Sequence, residues 1–176
     1  MPSRPRRSRD AAAKPAGKIV RKAAEKLDPP KVRVTGPDHS LPTKVIRVQR
    51  KDIHATAQFR RKMAALKKLS DEGKLYKATN PVERDTNLTD SFKERIRQRI
   101  WDKYWPHDKD LANRLSERLS SYHPDHVWEL QLGGPDTLDN IKLLHGKTNT
   151  DIGLHQIWPQ IRSLPDGTPI RIEVVD

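Results

Sequence analysis

The stretch that most restricts how this chain can fold is residues 122–153, YHPDHVWELQLGGPDTLDNIKLLHGKTNTDIG. It opens with an adjacent acid and base, Asp125 and His126. Residues 127–132 combine β-branched, aromatic and aliphatic side chains, which predicts a strand. Gly133, Gly134 and Pro135 break that run, and a loop leads to Asn140. Ile141, Leu143 and Leu144 predict a second short strand, and the pattern from Lys147 onward predicts a helix with Asn149 in or near its first turn. Strand, Gly-Gly turn, loop, strand and helix make a ββα unit with polar side chains at its joints. A unit of about thirty residues buries too little apolar surface to stand alone, so the rest of the chain must supply a platform.

Those joints carry a family resemblance. Asp125-His126, Asn140 after a gap of thirteen residues and Asn149 after eight more resemble the HNH endonucleases of the ββα-metal superfamily. The third position is Asn, the HNN variant found in the HNH domain of RNA-guided CRISPR effector nucleases. The longer pattern is Glu129-Leu130-Gln131-Leu132-Gly133-Gly134, with Asn149 followed by Ile152-Gly153. It is similar to the C-terminal nuclease modules of bacterial polymorphic toxins. The chain departs from many members in having no zinc-binding cysteines, and in carrying Gly153 where some members have a further metal-binding His.

Phosphodiester hydrolysis needs a nucleophile made from water and stabilisation of charge at the phosphate and the leaving oxygen. Asp125 and Asn149 offer hard oxygen ligands that suit Mg²⁺ or Mn²⁺, ions that keep several waters and take few protein carboxylates. His126 is the candidate general base, since an imidazole is substantially neutral near pH 7. The resemblance gives Asn140 an orienting role, holding the His126 loop. Glu129 is a secondary candidate for the metal site, or equally a solvent-facing strand residue. His145 sits where other members carry a zinc cysteine; it is a secondary candidate for touching phosphate, with a structural role favoured. His123 shapes the approach to the motif, and His155 reads as a helix-surface residue.

Charge supplies the second functional clue. The chain of 176 residues has a net charge of +12, with eleven Lys or Arg against three Asp or Glu in residues 1–36. A polyanion such as nucleic acid is the natural partner for that excess, through counterion release. Zero cysteines exclude disulfides and thiolate zinc sites. There is no apolar run of transmembrane length, and the Arg-rich start lacks the apolar region of a secretory signal.

Residues 1–36 are rich in Arg, Lys, Ala and Pro, and are expected to be a disordered basic tail or linker. Residues 37–121 are expected to form a mainly helical platform, and residues 122–176 the nuclease unit, with 37–176 making one folded domain. In the platform Val45, Ile46 and Val48 predict a short strand. Ile53, Phe59, Met63, Leu66 and Leu69 gather on one face of a helix whose basic residues, Arg60 to Lys68, read as a solvated face. Phe92, Ile96, Ile100 and Tyr104 predict a buried stripe on a second helix capped by Thr89 or Asp90, with Trp101 and Trp105 in the core. Asp108 is the expected cap of a third. Beyond Asn149 the helix should continue to Trp158, with a kink or break at Pro159, and Ile170 to Val175 alternate as a terminal strand. The fold class expected is α+β: a helical platform carrying a ββα-metal motif, with a short C-terminal strand.

The function expected is a metal-dependent DNA endonuclease of little sequence specificity, with Mg²⁺ the leading cofactor. The resemblance implies an antibacterial effector, made in the cytoplasm and delivered into target cells by a secretion or injection apparatus, with a cognate immunity protein. A phage or mobile-element HNH nuclease, a non-catalytic DNA-binding protein that does not cleave, and an RNase are the alternatives. No membrane association is expected.

Overall fold

Two alternating strands far apart in sequence pair and turn one buried face toward the core. The structure is a computed structural model that describes residues 33–175 apart from Pro81; the expected tail therefore lies outside the described residues up to position 32. Strand β1 (Lys44–Gln49) pairs in parallel with β4 (Ile170–Val175), in register from Lys44 opposite Ile170 to Gln49 opposite Val175. Alternation turns Ile46, Val48, Ile170 and Ile172 to one face, where all four are buried. Helix α1 (Thr56–Asp71) lays Phe59, Met63 and Leu66 against that face. Leu132, Ile152, Ile157 and Ile161 close the same cluster from the C-terminal half. Each such side chain contributes about 1.5–3 kcal/mol on full burial, so this one cluster holds both halves of the chain together.

The second sheet positions the site. Strand β2 (Tyr122–His126) pairs antiparallel with β3 (Ile141–His145), and His126 stands opposite Ile141. The strand expected at 127–132 is instead a loop ending in a short 3₁₀ turn, Leu130–Leu132. The apolar residues of that run serve the core: Leu132 is fully buried and Trp128 packs against the cluster. The true strand lies earlier and contains Pro124, tolerated because a two-stranded sheet consists of edge strands. Asp125 and His126 are therefore the last residues of a strand.

Helices α2 (Thr86–Tyr104) and α3 (Lys109–Ser120) pack on one another and on β2. The cap of α2 is Asp85, which accepts the Asn87 N–H, rather than Thr89 or Asp90. Asp108 caps α3 as expected, accepting from Leu111 N–H at 2.8 Å. The stripe on α2 is only half-buried, and Thr89 is its one buried residue. Trp105 is 39% exposed, with its ring 4.4 Å from that of Trp101. Both tryptophans pack at the end of the helix pair, outside the core cluster. A hairpin of two helices on a two-stranded sheet has no third layer to cover its apolar side.

After β3 the chain runs through α4 (Gly146–Thr150), a π-helical segment (Asp151–Ile157) and α5 (Trp158–Ile161). The wider turn follows from spacing: Gln156 Nε2 donates to Asp151 Oδ2 at 2.6 Å, five residues back, and Trp158 N–H donates to Gly153 O. Pro159 is thereby accommodated without a break. Among the described residues no helix is long and apolar enough to cross a membrane.

Candidate active site

One open cleft of about 470 Å³ gathers four of the side chains that the sequence singles out. Asp125, His126, Glu129 and Asn149 line it together with Arg84, Gln131, Gly153 and Trp158. Asp125 and His126 reach it from the end of β2, Asn149 from α4, and Glu129 from the loop between the strands. Glu129 is thus no solvent-face strand residue: its side chain is 13% exposed and points inward.

Asn140 acts as a clamp one layer behind the cleft. Its Oδ1 accepts the Trp128 N–H at 2.8 Å, and its Nδ2 donates to Trp128 O at 2.9 Å and Pro135 O at 2.8 Å. Its backbone carbonyl accepts Val127 N–H at 2.7 Å. It therefore holds the loop that follows His126, and does not touch the imidazole. The ring is held by Asp136, whose Oδ1 lies 2.7 Å from His126 Nε2. Burial alone would raise the Asp136 carboxyl, but the Asp85 N–H and the His126 ring outweigh it and hold it below the usual carboxylate range. A charged carboxylate only accepts hydrogen bonds, so Nε2 carries the proton and the neutral ring keeps Nδ1 as its basic nitrogen.

The Gly-Gly turn makes that contact possible. Gly133 adopts φ +86°, and a Cβ there would sit 2.2 Å from the Tyr76 ring. At Gly134 a Cβ would lie 2.0 Å from the Trp128 carbonyl oxygen. The chain reverses so tightly that Asp136, ten residues beyond His126, returns to its ring.

Lys62 lies beneath the cleft. Read as part of a solvated face, it is in fact 3% exposed. Its Nζ donates to Asp125 Oδ2 at 2.7 Å and to the His126 carbonyl, and lies 2.8 Å from Glu129 Oε1. Its signal was in the sequence: position 62 falls three residues after Phe59 and four before Leu66, within the buried stripe of α1. Burial raises the Asp125 carboxyl to about 6, against the pull of the Lys62 ammonium and with the repulsion of Glu129.

His145 is not brought to this cleft. With His123 and His155 it lines a separate cavity of about 520 Å³. Its backbone N–H donates to Gln58 Oε1, and its ring meets Tyr122 edge-on at 5.9 Å. His155 is exposed, as a helix-surface residue should be.

Among the described residues no group of three or more His, Asp or Glu is gathered as a metal cage. The cleft instead presents two carboxylates, Asp125 and Glu129, each with one oxygen facing the Lys62 ammonium, together with the amide oxygen of Asn149 and open space. That donor set fits a hydrated hard cation such as Mg²⁺, which asks for one or two carboxylates and keeps its own waters. Comparisons with protein-family models, with curated proteins and with solved structures found no match.

Proposed function

We propose that the chain is a metal-dependent endonuclease of the HNH type that hydrolyses DNA phosphodiester bonds. The observation that carries this reading is the single cleft holding Asp125, His126, Glu129 and Asn149, with the His126 ring oriented from behind by Asp136. Asp125 and Asn149 would hold a divalent ion, which supplies charge stabilisation at the phosphate. His126 takes a proton at Nδ1 from the attacking water, while Asp136 accepts from Nε2–H and favours the imidazolium that results. Arg84, on the wall of the cleft, offers a bidentate donor to phosphate oxygens. Asn140 keeps the loop between the catalytic strand and the Gly-Gly turn in place. No covalent intermediate with the enzyme is needed.

The net charge of +12 supports a polyanionic substrate, and the likeness to polymorphic-toxin nuclease modules supports an antibacterial effector that acts with an immunity protein and a delivery apparatus. Purified protein is expected to nick or degrade plasmid DNA with Mg²⁺, to stop with EDTA, and to lose activity when His126 is replaced by Ala. Plasmid that is shifted but never cut, under any divalent metal, would establish a binding protein instead. Cleavage by His126→Ala equal to wild type would overturn the site assignment. An RNA substrate run in parallel separates DNase from RNase. Expression in the cytoplasm of a bacterial host is expected to arrest growth for wild type and not for His126→Ala.

A further inference from the structure

Three charged side chains share one buried position under the cleft. The Lys62 ammonium stands 2.7 Å from Asp125 and 2.8 Å from Glu129, and also donates to the carbonyl of His126. A buried ammonium is costly unless it is paired and hydrogen-bonded. Lys62 hydrogen-bonds Asp125 and the His126 carbonyl, with the Glu129 carboxylate as a further ion-pair partner. Burial by itself would lower its pKa, yet Glu129 and Asp125 together hold it above the ordinary lysine value. The balance is nevertheless uneven. Two carboxylates face one ammonium, so by formal charge the three side chains leave one negative charge in excess. A cation in the cleft would relieve that excess, but it would lie close to the ammonium and be repelled by it.

We propose that Lys62 is the resident counter-cation of this site: it keeps Asp125 and Glu129 side by side beneath the cleft and limits how tightly a divalent cation binds there. The inference rests on the nuclease reading only in that both place a divalent cation against Asp125. Lys62 is a positioning residue, since it touches the ligands and neither substrate nor the reacting water. The restraint has a use: a site that turns over a polyanion must let metal and product leave, and an overly tight site holds them.

The test is a calorimetric titration of the full chain with Mn²⁺ alone. Lys62→Met removes the charge and keeps an unbranched side chain, and is expected to bind Mn²⁺ at least about tenfold more tightly than wild type. Adding Asp125→Asn to that variant should abolish the gain. Glu129→Gln leaves the ammonium to Asp125 alone and should weaken Mn²⁺ binding by about tenfold. A folded Lys62→Met that binds Mn²⁺ no better than wild type overturns the proposal, as does unchanged affinity in Glu129→Gln. If Lys62→Met unfolds without metal, recovery of its circular dichroism on adding Mn²⁺ supports the proposal. If Mn²⁺ does not restore it, Glu129→Gln decides. Wild type that cleaves DNA while Lys62→Met gains no affinity removes this inference and leaves the nuclease standing. Wild type that neither binds Mn²⁺ nor cleaves, with Lys62→Met no better, removes both.

Discussion

Replacing Asp125 by Asn should stabilise the protein in the absence of metal while abolishing the proposed nuclease activity. Asp125 is 6% exposed, and its folded-state carboxyl sits at about 6 against a reference of 3.8. Because the folded value lies above the unfolded one, the folded protein holds this proton more tightly. Stability is then fully present below the unfolded value and is lost as pH rises through the folded one. The difference of about two units corresponds to about 3 kcal/mol at pH 8. Asparagine has the same shape and never charges, and Lys62 keeps Glu129 and the His126 carbonyl as partners. The lost attraction of Lys62 to the Asp125 carboxylate offsets part of the gain, so about 3 kcal/mol is the upper limit. Asp125→Asn should therefore exceed wild type by up to about 3 kcal/mol at pH 8 in EDTA, and match it near pH 4. Urea denaturation at both pH values measures this, with a midpoint gain of about 1.5 M for a slope of about 2 kcal/mol/M. Asp136 and Asp151, held below their usual range, act in the opposite direction, losing their contribution as pH falls. Both are present in both proteins and cancel in the comparison. Asp125→Asn less stable than wild type at pH 8 would refute the reasoning, because the Lys62–Asp125 pair would then be a net stabiliser rather than a strained functional site.

Three further outcomes follow from the geometry. Asp136→Ala leaves His126 Nε2–H without its partner and frees the ring, and should lower plasmid cleavage by about a hundredfold with little change in Mn²⁺ affinity, measured by initial rates and titration. Asn140→Ala removes three hydrogen bonds that fix Trp128 and Pro135, and should cost about 3 kcal/mol in chemical denaturation, with a parallel loss of cleavage. Gly134→Ala drives a methyl group into the Trp128 carbonyl and should destabilise the fold by about 1–3 kcal/mol, read as a lower Tm.

What was legible in the sequence was whatever local chemistry dictates. Alternation marked β1 and β4, the 3.6-residue stripe marked α1, and Asp108 marked the start of α3. Three residues of the cleft were legible too, since Asp125, His126 and Asn149 stand at the joints of a hairpin and helix whose spacing is short-range, whereas Arg84 on its wall carried no such signal. Composition could not separate a strand from a loop at 127–132, because apolar residues serve a sheet or a core equally well, and here Leu132 and Trp128 serve the core. Nor could it show that Asp136 meets the imidazole, since that depends on how tightly two glycines turn the chain against Tyr76 and Trp128. The tertiary structure alone decided the fate of Lys62. Its place in an apolar stripe was written in the sequence, but an ammonium remains buried only where two carboxylates from a distant hairpin arrive to meet it.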